Sequence, residues 1–346
     1  MTPGRAGPLV VIGDALLDRD VIGRSHRLCP DAPVPVVDGV KEYARPGGAG
    51  LAAVLAARDG RDVVLVTALA DDEAGQALRA LLEAELVVVV ATTWSGSTPQ
   101  KVRIRAGEHP LVRVDYGDGR GEVGRVTTAM LRAVAAAGAV LVADYGRGVA
   151  ADASLRAAVA DRAGTAPVVW DPHPRGVPPV PGVTVATPNL AEAAYFAGGL
   201  VESGPGSRLA VATGPHAEAQ HCAALLRAAW CADAVAVTLG STGALLDAGD
   251  GRPALAPAVE ASHGDPCGAG DRFSAALAGR LLDGAGLGGA VEDAVAVAAE
   301  YVANGGPASL RGPNERRLAT AATAGTGVVR PAPRSGKQAQ REGDSG

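Results

Sequence analysis

Residues 264–278 read GDPCGAGDRFSAALA, and the fold turns on how this stretch is interpreted. Gly268-Ala269-Gly270 runs into Asp271, and Phe273, Ala276, Leu277 and Leu281 then recur at helical spacing. A glycine-rich turn of this kind delivers backbone N–H groups to a helix N-terminus. Unpaired donors and the helix dipole attract an anion there. Asp271 falls in the first helical turn, beside any anion so held. A carboxylate next to a phosphate is unfavourable unless it has a task, and taking the proton from a hydroxyl that attacks the phosphate is one. A plain acidic cap on an Ala-rich helix is the other interpretation. On this stretch alone, both stand.

Upstream, strand and helix patterns alternate. Residues 8–13 (PLVVIG) form a short apolar run of the buried parallel type, followed by Asp14 and Asp18. Ligands of open α/β sheets bind outside the carboxyl ends of strands, so these acids are placed to meet one, unless they merely furnish an acidic loop. Further strands are expected at 63–68, 86–90, 139–143, 167–170, 183–186, 234–238 and 244–247. Helices are expected at 71–84, 123–136, 151–162, 215–230, 272–283 and 290–304.

Two stretches interrupt the alternation. In residues 20–43, Pro30, Pro33 and Pro35 exclude a helix, while Val34, Val36 and Val37 suggest an inserted β-flap. Residues 98–104 and 111–114 alternate around Gly107 as a hairpin. Lys101, Arg103 and Arg105 have one parity and so share a strand face. That basic stripe is either an edge protected from aggregation or an anion clamp. Residues 45–50 (RPGGAG) open an Ala/Leu helix running to about Arg58, and Gly47 and Gly48 permit close backbone approach or a tight turn. Asn189 and Glu192 lie on one helix face. They suit a capping box, or a metal–water shell with hard oxygen ligands for magnesium.

Composition narrows the class. The 346 residues are 47% hydrophobic and 20% charged, as in a soluble globular protein. Aromatics are 3%, so Ala, Val and Leu must build the core. A net charge of −5 argues against nucleic-acid binding, and no apolar run is long enough for a membrane span. The N-terminus leads straight into a strand, without a secretory pattern. Cys29, Cys222, Cys231 and Cys267 lack metal-site spacing and suggest no disulfide framework, which fits a cytoplasmic location. Residues 284–289 satisfy Gly-x-Gly-x-x-Gly, but they follow a helix, so a dinucleotide fingerprint is rejected. His216 and His221 read as surface residues.

Taken in order, PGG at Pro46, TPNLAE, TLGSTG and GDPCGAGD resemble the PfkB (ribokinase-like) sugar kinases. GDALLDRDVIG, PDAPVPVV, RPGGAG, KVRI, DYGRG, DPHPR and TPNLAEA are similar to the bacterial D-glycero-β-D-manno-heptose-7-phosphate kinases within them. The resemblance spans about residues 8–310. It implies an α/β, ribokinase-like three-layer αβα fold with a mostly parallel central sheet and an inserted β-strand lid. The kinase domain would cover 8–312, with lid segments at about 20–45 and 97–116, and 313–346 is expected to be a disordered tail.

The resemblance also implies a function. It is ATP- and magnesium-dependent phosphorylation of a sugar phosphate, with heptose 7-phosphate modified at C1. Asp271 would be the base, and the Gly268-Ala269-Gly270 turn with the N–H groups of Ala269, Gly270 and Asp271 would form the anion hole. Asp14 and Asp18 would bind sugar hydroxyls, Gly47 and Gly48 would line the sugar pocket, and Lys101 and Arg103 would clamp the distal phosphate. Asn189 and Glu192 would organise magnesium largely through water, and Thr238, Gly240 and Gly243 would line the ATP site. The lid resembles those that pair two subunits, so a homodimer is expected. Three departures bear on the sugar. Leu51 and Leu55 stand where asparagines normally reach it, Cys267 replaces a threonine, and His173 replaces a lysine. A PfkB kinase for a different sugar, or a silent sugar- or nucleotide-binding regulator, are therefore the alternatives. The His-x-Gly-His signature of bifunctional relatives does not occur, so only the kinase half is expected.

Overall fold

A strand with no polar face must be covered on both sides. In the computed structural model, which describes residues 7–107, 109–117, 121–202, 214–259 and 264–310, β1 (Leu9–Gly13) is such a strand. Leu9 and Val11 point into one hydrophobic cluster, and Val10 and Ile12 into the other. The chain continues through β2 (Ala15–Leu28), β3 (Pro35–Gly48), α1 (Ala49–Arg58), β4 (Val63–Leu69), α2 (Glu73–Ala84) and β5 (Val88–Thr93). Next come β6 (Gln100–Ala106), β7 (His109–Tyr116), α3 (Thr128–Ala135), β8 (Ala139–Ala143), α4 (Ala153–Ala163) and β9 (Val168–Asp171). They are followed by β10 (Val185–Ala186), α5 (Leu190–Glu202), α6 (Pro215–Trp230), β11 (Val235–Thr238), β12 (Gly243–Asp247) and β13 (Ala254–Pro257). Helices α7 (Ala269–Leu282) and α8 (Leu287–Ala303) complete the described fold. The expected tail, 313–346, lies outside the described residues.

The main sheet has the order β13-β12-β11-β10-β9-β8-β1-β4-β5. It is parallel from β11 to β5, and β12 and β13 are antiparallel to their neighbours. Buried residues of α1, α2, α7 and α8 belong to one cluster, and those of α3, α4, α5 and α6 to the other, which makes three layers. From β1 the chain first works outward to β4 and β5, then returns to β8 on β1's other flank. The order reverses between β1 and β8, the place where open α/β sheets carry their ligand crevice. No helix among the described residues is long and apolar enough to cross a membrane.

The inserted strands form a second sheet, ordered β3-β2-β6-β7. Its base reaches further than the proline pattern indicates. Ala15 pairs with Gly48 and Leu16 with Gly47, so the two glycines end a strand and the helix opens only at Ala49. β6 lies between β2 and β7, so Lys101, Arg103 and Arg105 are not on an edge. This removes the edge-protection interpretation of the basic stripe. Two smaller boundaries also move. Leu86 adopts φ 61 at the end of α2, so the next strand starts at Val88 rather than residue 86. Thr127 Oγ1 accepts the Met130 N–H at 3.3 Å and starts α3 there, while Val123 is bridged to Trp94.

Candidate active site

The carboxyl ends of β1, β8, β9, β10 and β11 bring distant acids and loops together. Asp14 follows β1 and is buried. Its Oδ2 accepts the N–H groups of Tyr145 at 3.1 Å and Arg147 at 2.9 Å, and its Oδ1 accepts that of Val149 at 3.1 Å. Both oxygens therefore face the loop after β8, across the switch point. Burial pushes the Asp14 pKa up, and these backbone bonds oppose the shift. Asp144 does similar work one residue earlier, accepting from Gly146 at 2.8 Å and from Val177 at 3.0 Å.

Asp271 sits in the first turn of α7, only 7% exposed. The preceding Gly268 has φ 79, and no side chain caps the helix. Gly268 also has little room: a Cβ there would lie 2.7 Å from Leu51 Cδ2 and 3.0 Å from the Tyr301 hydroxyl oxygen. Only a glycine suits that close approach in a left-handed turn. Of the three N–H groups expected to face an anion, that of Ala269 is already engaged. The Ala269 N–H donates to Pro266 O at 3.0 Å, closing the Pro266–Ala269 turn. Gly270 and Asp271 are the next two first-turn positions, where helix N–H groups lack an intrahelical acceptor. Gly270 is exposed.

The Tyr145 hydroxyl donates to Asp271 Oδ1 at 2.6 Å. Burial drives the Asp271 pKa up to about 7; the Asp18 charge acts in the same sense, while the Tyr145 bond and Lys101 oppose it. Lys101 Nζ lies 5.6 Å from the centre of the Tyr145 ring, and burial pushes its own pKa down. His173 stacks on the same tyrosine, with ring centres 6.2 Å apart. Beneath Asp271, Ser274 Oγ donates to Asp171 Oδ2 at 3.1 Å and lies 3.2 Å from Thr187 Oγ1. Asp171 is raised well above the usual carboxylate range by burial, then by the charges of Asp271 and Glu192.

The lid lies over this floor. Asp18 is buried and paired with Arg103 Nη1 at 2.9 Å and Arg45 Nη2 at 3.3 Å. Arg45 also pairs with Asp20. Arg103 Nη2 reaches Cys267 Sγ at 3.4 Å, and Arg105 reaches Asp265 at 3.4 Å. The basic stripe therefore faces the glycine turn. Gly47 packs where a Cβ would meet Asp18 Oδ2 at 2.7 Å, and Gly48 where one would meet Asp14 O at 2.6 Å.

Asn189 and Glu192 form a reciprocal capping box. Asn189 N–H donates to Glu192 Oε2 at 2.9 Å, and Glu192 N–H to Asn189 Oδ1 at 3.0 Å. Asn189 also bridges to Thr238, which ends β11. Gly240, at φ 60, and Gly243, at φ 111, turn the chain from there into β12. No group of three or more His, Cys, Asp or Glu among the described residues is arranged to hold a metal ion. Glu192, its pKa raised by burial, lies near enough to Asp171 to raise that pKa too. Glu192 offers the hard oxygen that suits magnesium, an ion that keeps most of its waters and takes other ligands from phosphates, whereas Asp171 lies half-buried beneath Asp271.

Two expected positions are placed elsewhere. Leu51 and Leu55, 2% and 4% exposed, belong to the core cluster that contains α7. Leu51 lies against Gly268 rather than lining an open pocket. Conversely, Tyr145, Asp171, Ser274 and Thr187 carry site contacts that no spacing pattern predicted for them.

Residues 8–312 match the pfkB family of carbohydrate kinases, and the chain belongs to that family. It is 52% identical over 303 residues to the bifunctional protein HldE of Streptomyces coelicolor, a match covering 88% of this chain and 62% of that protein. It is 37% identical over 287 residues to the HldE of Caulobacter vibrioides, covering 81% and 56%. The chain thus spans less than two thirds of the length of these relatives. Among solved structures it is similar to Arabidopsis thaliana ribokinase complexed with ribose and ATP, at TM-score 0.62 and 20% identity, covering 92% of this chain and 98% of that one. Phosphofructokinase-2 of Escherichia coli in complex with potassium aligns at TM-score 0.65 and 15% identity, covering 92% and 99%. These two likenesses establish the ribokinase-like fold.

Proposed function

We propose that the chain transfers the terminal phosphoryl group of ATP to a sugar phosphate, namely to C1 of D-glycero-β-D-manno-heptose 7-phosphate, giving the 1,7-bisphosphate. The observation that carries this is a buried carboxylate, Asp271, next to the exposed Gly270 of a glycine turn at a helix N-terminus, with a basic lid strand on the same side. Similarity to the two HldE proteins supports heptose 7-phosphate as the substrate.

The chemistry follows from these groups. Asp271 Oδ1 carries the Tyr145 bond, and Oδ2 is left to take the proton of the attacking hydroxyl. A base with a pKa of about 7 is half ionised near neutrality, where general-base catalysis is most effective. The hydroxyl oxygen bonds to the terminal phosphorus as the bridging P–O bond breaks, its electron pair leaving with ADP. The N–H groups of Gly270 and Asp271 receive the charge on the transferring group. Lys101 and Arg103 hold the distal phosphate; Arg103 would exchange part of its contact with Asp18 and Cys267 for it. Asp18 meets sugar hydroxyls over Gly47 and Gly48, and Asp14 acts by fixing the Tyr145 loop. Thr238, Gly240 and Gly243 line the nucleotide side. Magnesium would be held by the phosphates and by water at Asn189 and Glu192, and it supplies charge neutralisation of the phosphates. The lid strands expose Leu28, Val40, Leu111, Val112 and Tyr116, and the β2–β3 connection exposes Val34, which supports pairing of two subunits there.

A kinase for another sugar is the second possibility, favoured by His173, which stands where the resemblance has a lysine and stacks on Tyr145 beside Asp271. ADP release measured with ATP, magnesium and a panel of sugar phosphates separates the two. Heptose 7-phosphate should give a kcat/KM at least about tenfold above the others. Preference for another sugar would reassign the substrate, and no ADP release with any sugar would reject the kinase assignment for this chain.

A further inference from the structure

We infer that Tyr145 is a positioning residue for the base: its hydroxyl ties down one oxygen of Asp271, aims the other at the acceptor, and holds the carboxylate in its charged form. This rests on Asp271 being the base. The two residues are 126 positions apart, yet the hydroxyl donates to Oδ1 at 2.6 Å, the short end of the O–H···O range. A charge-assisted bond of this length fixes the carboxylate plane as well as stabilising its negative form.

The tyrosine is itself held on several sides. Its N–H donates to Asp14 Oδ2 at 3.1 Å, which anchors the backbone at the end of β8. His173 stacks against the ring at an interplanar angle of 27°, and Lys101 lies over it. A Cβ on Gly48 would touch ring carbons Cδ2 and Cε2 at 3.4 Å, so the ring rests on the glycine pair at the lid base. Burial and the charges of Asp271 and Asp171 raise the phenol's pKa well above 10, so it remains a donor at every working pH. The charged or titratable groups around Asp271 are Tyr145 after β8, Asp18 on β2, Lys101 on β6, Asp171 at the end of β9 and Tyr301 on α8. Of these, only Tyr145 is hydrogen-bonded to the carboxylate among the described contacts. Its removal therefore isolates that bond while the other groups remain.

The test is the pH profile of kcat/KM for Tyr145→Phe, which keeps the ring and deletes the donor. The acid limb marks ionisation of the base and should move up by about one pH unit or more, while the rate above the limb falls about three- to tenfold as Oδ2 loses its aim. One pH unit below the limb, the loss should be about tenfold larger again. An equal loss at every pH would overturn the inference, because that is what a merely structural tyrosine produces. An unshifted limb would overturn it as well. If the phenylalanine variant fails to fold, 3,5-difluorotyrosine at position 145 supplies the readout. Its more acidic phenol is a stronger donor and should move the limb down, and no shift would again overturn the inference. Asp271→Asn is measured alongside. If that variant retains the wild-type rate, the base assignment fails; if it is inactive while the Tyr145→Phe profile is unshifted, only the present inference fails.

Discussion

Asp271→Asn should cut turnover sharply and yet stabilise the fold, by a margin that depends on pH. Burial raises the folded-state pKa of Asp271 from 3.8 to about 7. The sign is the reverse of the usual carboxylate case. Between those two values the folded protein binds more protons than the unfolded chain, so stability falls as pH rises through that window. Above about pH 7 the whole penalty of the buried charge is present. A shift of about 3 units corresponds to at most about 4 kcal/mol. Asparagine keeps the shape, and its Oδ1 can still accept the Tyr145 hydroxyl, but it carries no charge to bury. Asp14 is common to both proteins and cancels in the comparison, whereas Asp171, raised in part by the Asp271 charge, is relieved of that part in the variant and adds to its advantage in the same direction. Urea unfolding at pH 5 and pH 8 measures the difference, and the advantage of the variant should grow by about 2–3 kcal/mol between them. ADP release should meanwhile drop by about 10²–10⁴-fold. An advantage independent of pH, or none at pH 8, would refute the reasoning, because Asp271 would then not be a charge held against its solvation.

Gly268→Ala should be destabilised by about 2–4 kcal/mol, combining left-handed backbone strain with the 2.7 Å approach of its Cβ to Leu51 Cδ2. Denaturant unfolding within roughly 0.5 kcal/mol of wild type, the scatter of a surface substitution, would contradict that packing. Arg103→Met removes a charged donor beside Asp18 and the glycine turn. It should raise KM for the phosphorylated sugar about 10–100-fold and leave KM for ATP near wild type. Equal rises in both would argue against the phosphate clamp.

The main sheet was legible because its strands are short apolar runs with no polar face, and because acids and glycines follow them. That pattern alone locates β1, β8 and β11 to within a residue or two. The lid was legible only in outline. Its base pairs Ala15 with Gly48, 33 positions apart by their numbers, and no local signal sets that register. The parity of Lys101, Arg103 and Arg105 established a shared face, but whether the strand was an edge depended on β2, a segment more than 80 residues earlier. Tyr145 was hidden for the same reason. A tyrosine after a strand has no spacing relation to a helix that starts at Ala269, so only the folded chain reveals the bond.

Leu51 and Cys267 teach something different. Each stands where the resemblance expects a polar residue, and the natural inference was a changed sugar pocket. Yet Leu51 packs under Gly268, and Cys267 takes Arg103 on its sulfur while its carbonyl accepts the Tyr301 hydroxyl at 3.2 Å. Both substitutions therefore meet at the turn that precedes Asp271. An apolar side chain beneath the turn has no hydrogen bond to offer, so its shape must come from the Ala269–Pro266 bond, the Cys267 N–H to Asp265 at 3.0 Å and the Tyr301 contact. The two departures thus bear first on how the glycine turn before Asp271 is held, and on any sugar only through it.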